Sequence, residues 1–216
     1  VDTFRFEEER VLGAALEALG ESRWAEAASW ARVRLESDAF WLKDAPGRRA
    51  SWRLVWDVAA LGGAIEAAGA GLEAPSGLEE AVARYVAVGA AVDRAHRQLE
   101  QRREALLYPR IAEFEALRGR LDEARGLWWR WAEGWARDFS ALCQSSGFLP
   151  PAALRQRGVF DEVVKPLARE AGTTAYFVVD ALRYEMAEEL LAAIQETPGT
   201  TATLSPRLAE LPSVTE

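Results

Sequence analysis

Cysteine, histidine and methionine each occur once in the 216 residues. Lysine occurs only at Lys43 and Lys165, so almost all positive charge is arginine. A lone Cys143 excludes an intramolecular disulfide framework and fits a reducing cytoplasm, the expected location. No run approaches the ~20 consecutive apolar residues of a membrane-spanning helix. Arg or Glu interrupts every candidate, and no membrane partner is expected. The N-terminus, VDTFRFEEER, lacks both an initiator Met and the basic-then-apolar pattern of a signal peptide. The expectation is a piece cut from a longer protein, or its ordered portion. A formal charge of −8 argues against a surface that sleeves nucleic acid. The arginine bias reflects genome composition or heat tolerance more readily than phosphate recognition.

What is present is a helical vocabulary. Half the residues are hydrophobic, enough for one large or two small domains with a sizeable core. Period and punctuation predict a helix over 5–19 ending at Gly20, and a second through Leu35 with Glu21-Ser22 as its cap. A third is expected over about 51–68, with Trp52, Val55, Trp56 and Ala59 on one face. The Gly- and Pro-rich stretch 69–77 breaks it. Leu78, Val82, Tyr85, Gly89, Val92, His96, Leu99, Arg103 and Leu106 then alternate spacings of four and three, a heptad seam ending near Tyr108-Pro109. Gly89, His96 and Arg103 weaken the seam, which points to a helix packed on neighbours. Ser145–Pro151 reads as a linker. A short final helix over 158–172 carries Pro166 near its middle and is expected kinked or in two pieces.

Two features invite sharper readings. His96 has Asp93 and Glu100 within a helical turn, a conceivable metal cluster, but a seam histidine satisfied by a neighbour is the simpler account. In GLWWRWAEGWARDF, Trp128, Trp131 and Trp135 fall at spacings of three and four, one buried face. Trp129 points elsewhere and is the candidate partner-binding anchor.

The pattern changes at Tyr176. Tyr176–Val179 is a short apolar run suited to a strand buried on both faces of a parallel sheet, with Asp180 at its carboxyl end. An amphipathic helix follows over 182–194, with Leu182, Met186, Leu190, Ala193 and Ile194 inward and Arg183, Glu185, Glu188 and Glu189 outward. Thr200–Leu204 has the look of a second strand, completing one βαβ unit. At a strand tip, Asp180 can cap the following helix, accept a phosphoryl group, or hold a metal ion. Leu182 stands where a haloacid-dehalogenase-type pattern needs a second Asp, and no glycine-rich loop follows, which excludes a dinucleotide site. Capping and metal or phosphate chemistry both stay open on these grounds.

FVVDALRYEMAEEL, followed some thirty residues later by LAELPSVTE, resembles the PglZ family of bacteriophage-exclusion (BREX) defence systems, whose catalytic domain belongs to the alkaline phosphatase superfamily. Phe40-Trp41, LYPRIAEFEALRGRLDEA and the Trp135–Cys143 run resemble, more loosely, the helical region before that domain. The resemblance implies that Asp180 is the first metal-binding aspartate. It implies that Thr215 sits between two divalent metals, zinc or manganese, as the nucleophile. Ser213 and Pro212 would shape the turn presenting Thr215. Arg183 and Tyr184 would buttress the site, and Glu185 would serve the first turn of its helix. The family's remaining Asp and His ligands are absent from these 216 residues.

The expectation is therefore a mainly α chain: an all-helical domain over 1–172, then the truncated βαβ start of an alkaline-phosphatase-like domain over 173–216. The parent is expected to be a metal-dependent phosphoesterase or nuclease in phage defence. This piece alone is expected to bind no metal, to be inactive, and to dock another subunit of the BREX system, with nucleic acid met only by the intact complex. The alternative is a generic helical scaffold with a truncated receiver-like α/β domain.

Overall fold

The computed structural model describes residues 5–37, 42, 46–73, 75–103 and 111–209. Ser213 and Thr215, with the rest of LPSVTE, lie outside these residues, as do Phe40-Trp41 and Tyr108-Pro109.

Helices dominate, as composition and period require. They are α1 (Arg5–Gly20), α2 (Trp24–Glu36), α3 (Pro46–Ala68), α4 (Leu78–Arg84), α5 (Ala90–Arg103), α6 (Phe114–Ser146) and α7 (Tyr184–Gln195), with a π-helical turn at Tyr85–Gly89 between α4 and α5. Contacts group the chain into two units, Val1–Gly71 with Ala91–Trp135, and Leu72–Ala90 with Ala136–Glu216.

In the first unit α3 packs against α2 and α1. Trp52, Leu54, Val55, Val58 and Leu61 are buried along it. Leu12, Leu16 and Leu19 of α1, Val92 and Leu99 of α5, and Leu117, Leu121 and Trp131 of α6 complete the core. Trp56, expected inward with Trp52, is 36% exposed. α3 buries the faces that carry Leu54 and Val58, and these leave Trp56 at the rim. α2 comes close to α3 because Gly62 has no side chain; a Cβ there would stand only 2.4–2.6 Å from atoms of the Trp24 ring.

Ser22 does not cap α2. Its φ of 57° is left-handed, and the Arg23 amide that follows bonds the Ala18 carbonyl at 2.8 Å. Ser22 thus closes α1, in the way a left-handed residue terminates a helix. The residue entering α2 is Arg23, with no side-chain cap bond. Gly69, at φ 74°, ends α3 similarly.

In the second unit the amide of Leu72 donates to the Asp138 carboxylate at 3.3 Å. Leu78 and Val82 of α4 are buried, as are Leu142 and Cys143 of α6. Burial raises the Cys143 thiol above its ordinary pKa. Beyond α6 come two 3-10 turns, Ala152–Leu154 and Gln156–Gly158, a π turn at Phe160–Val164, and a single α turn at Lys165–Leu167. The helix expected over 158–172 is accordingly in short pieces around Pro166.

The βαβ unit is not formed among the described residues. Tyr176, Phe177, Val178 and Val179 are 52%, 82%, 81% and 59% exposed, so the strand expected to be buried on both faces is buried on neither. Thr200–Leu204 carries no strand either. One isolated parallel bridge, Arg155 with Leu208, stands instead. A β segment is stabilised by a ladder on a neighbouring strand, and two parallel strands cannot cover both faces of each other. The intervening helix forms because its bonds are local. Its facing was also expected otherwise: Leu182, Leu190 and Ile194 are exposed, whereas Glu185 is fully buried.

Candidate functional site

Asp180 lies in an exposed turn that follows the exposed apolar run. Ala181 takes a left-handed φ of 55°, uncommon for a residue with a Cβ. The chain then straightens at Arg183 (φ −80°, ψ 159°), the N-cap of α7, and no side chain caps that helix. Asp180 stands three residues before the N-cap position itself.

Arg183, Tyr184 and Glu185 occupy the start of α7. Arg183 Nη2 stands 2.9 Å from Glu185 Oε1; the Arg183 side chain is 57% exposed and that of Glu185 is not exposed at all. The carboxylate lies in the first helical turn, where the backbone dipole favours negative charge. Partial burial raises the Tyr184 phenol above its usual pKa, and the nearby Glu188 carboxylate adds to that.

These residues supply one exposed carboxylate at a turn and a buried acid held by an arginine. Asp180 is a suitable hard oxygen donor for a divalent cation. Among the described residues, however, no group of three or more His, Cys, Asp or Glu side chains is placed to hold a metal ion. The described part does not by itself fit a two-metal centre.

His96, whose sequence neighbours suggested a cluster, is engaged otherwise. Its ring stacks on Trp128 with centroids 3.6 Å apart and planes 4° apart. Its Nε2 lies 3.7 Å from Glu100 Oε1, an oxygen that also accepts from Arg125 Nε at 2.6 Å. Trp131 and Trp135 are buried as their spacing predicts, whereas Trp128, expected on the same buried face, is only partly buried; Trp129 is 63% exposed, set edge-on against Trp128.

One feature the sequence did not announce is Arg207. Its guanidinium donates to the Ala153 carbonyl and stands 3.1 Å from Glu162 Oε2. No period or motif marks such a pair, since the partners are 45 residues apart.

Comparison with known proteins places residues 159–216 in a match to the family described as the BREX system PglZ alkaline phosphatase-like domain. An 87-residue stretch is 38% identical to the alkaline phosphatase-like protein BrxZ of Escherichia coli O9:H4 (strain HS), covering 39% of this chain and 10% of that protein. The chain thus matches only a tenth of the relative's length. No solved structure matches. The matched family segment contains Asp180, Arg183, Tyr184, Glu185, Ser213 and Thr215, the residues on which the sequence resemblance rests. Residues 159–216 are thus similar to the PglZ alkaline phosphatase-like domain of BREX systems.

Proposed function

We propose that this chain is the helical region and the opening of the catalytic domain of a metal-dependent phosphoesterase acting in phage defence. The observation that carries the reading is the family match over 159–216, which spans both Asp180 and Thr215. Asp180 is the first carboxylate donor of the metal site and Thr215 the nucleophile. A hydroxyl attacks phosphorus poorly until its proton is drawn off, and a bound divalent metal supplies that activation. Arg183 and Glu185 support the site. Their 2.9 Å pair fixes the first turn of α7 immediately after the Asp180 turn.

The exposed run Tyr176–Val179 supports the same reading. Four consecutive large apolar residues at 52–82% exposure are a face that the rest of a sheet would cover. The described residues provide a single exposed donor at this turn, so the reading assigns hydrolysis to the intact parent and not to this piece.

The helical part serves as a docking platform for another BREX subunit. Trp129 is its anchor: a large ring at 63% exposure, braced on the Trp128–His96 stack, has the amphipathic character and fixed geometry that binding hot spots share. The direct test of the metal assignment is metal content of the intact parent. Asp180→Asn is expected to lower bound zinc or manganese by about one equivalent per chain. Unchanged metal content contradicts the role given to Asp180.

A further inference from the structure

An open cavity of about 560 Å³ lies in the first unit, where α1 ends and α2 begins, beside α3 and α6. Its size is that of small-molecule sites, which run from roughly 300 to 1,000 Å³. The lining is mixed. Trp24 supplies an indole, Leu19, Val58 and Leu127 supply apolar side chains, and Arg120 and Arg130 supply guanidinium groups. All of these lie outside the family-matched residues 159–216.

The space is held open by the choice of residues around it. Gly119 and Gly126 both belong to α6 and both line the cavity. Glycine is among the least favoured residues in a helix interior, and the close approach of a neighbouring element commonly accounts for it there. Neither position has such a neighbour. At Gly119 a side chain would start in open space, and at Gly126 it would meet only Arg130 Nη1, at 3.6 Å. Trp24, by contrast, is held firmly, because its ring lies against Gly62 of α3 with no room for a side chain between them. A fixed aromatic ring and an uncrowded stretch of helix thus line one space.

The charges at the rim are not equivalent. Arg120 donates to Glu123 at 2.8 Å and lies against Gly20 at the end of α1. Asp122 stands 3.7 Å from Arg125 Nη1. Both rim acids are therefore already matched. Arg130 is exposed and makes no ion pair or hydrogen bond among the described residues, so its fork is the one left to a ligand. A guanidinium fork meets a phosphate with two parallel hydrogen bonds, and an indole face takes a planar ring. We infer that this cavity binds a small aromatic anion of the purine mononucleotide class, with its ring on Trp24 and its phosphate on Arg130.

The test is calorimetric titration of the 216-residue chain with adenosine 5′-monophosphate, beside adenosine and inorganic phosphate. One saturable site is expected for the mononucleotide. Adenosine is expected to bind about ten-fold more weakly, and inorganic phosphate more weakly still. Gly119→Leu places a side chain in the opening and is expected to abolish saturation. Arg130→Gln removes the cation at an exposed position and is expected to weaken binding about ten-fold. Should the leucine disturb α6, seen as a lowered thermal midpoint, Arg130→Gln is the variant read. Failure of the mononucleotide to saturate, or equal affinity in a Gly119→Leu chain that melts like the unaltered one, overturns the site. Equal affinity for adenosine and the mononucleotide, or for the mononucleotide in the unaltered and Arg130→Gln chains, overturns the assignment of an anion held by Arg130.

Discussion

The indole N–H of Trp52 donates to the buried Glu8 carboxylate at 2.7 Å, tying α3 to α1 through the centre of the first unit. Arg34 of α2 stands 3.4 Å from the other carboxylate oxygen. Three helices thus share one buried acid, made tolerable by one indole donor and one facing guanidinium. Trp52→Phe keeps most of the apolar volume and removes the donor. It is expected to destabilise the chain by about 2 kcal/mol, the cost of stranding a buried charged acceptor. Urea denaturation checks this, and a midpoint unchanged from the parent contradicts it.

Asp57, on the same helix, is buried 2.5 Å from Arg102 Nε. Burial pushes its carboxyl up to about 6, with Arg102 and Arg53 pulling the other way. The unfolded value is about 3.9, so between these values the folded state holds more protons. Stability from this group is therefore full below about pH 4 and falls as pH rises to about 6, by at most about 3 kcal/mol. Asp57→Asn is expected to flatten the stability profile over that window. Denaturation midpoints at several pH values check it; an identical slope in parent and variant contradicts it.

Two helix-interior glycines should respond oppositely to alanine. Gly13 has open space where a side chain would start, so Gly13→Ala is expected to stabilise by about 0.5–1 kcal/mol through backbone propensity. At Gly62 the Cβ meets the Trp24 ring, and Gly62→Ala is expected to cost about 1–3 kcal/mol despite the same propensity gain. Thermal melts of the two variants check the contrast.

Trp129 separates docking from folding. Trp129→Ser removes a side chain that is 63% exposed, so stability is expected to stay within about 0.5 kcal/mol. Retention of other BREX gene products by the immobilised chain is expected to fall markedly. Equal retention by both forms contradicts the anchor.

What could be read from the sequence follows the range of the interactions. α1, α2, α3 and α7 were legible within a few residues, because helical hydrogen bonds and the 3.6-residue period are local. The burial of Trp131 and Trp135 followed from spacing alone. Ser22 was misread because a serine before a helix suits a cap, whereas its φ serves the helix it leaves. The strand at Tyr176–Val179 was legible as a β-type run, but a strand exists only with a neighbour, and none of the described residues supplies one. The inward Glu185 was hidden for a related reason: an acid in an outward position of the period reads as solvated until Arg183 is seen beside it. Asp180 and Thr215 are singled out only by the resemblance, since no periodicity distinguishes a ligand from a cap.

The most direct measurement is phosphodiester hydrolysis by the intact parent with zinc or manganese supplied, comparing the unaltered protein with Asp180→Ala and Thr215→Ala. The account predicts metal-dependent turnover that both substitutions reduce by about a hundred-fold or more. Turnover that persists undiminished in both variants contradicts it.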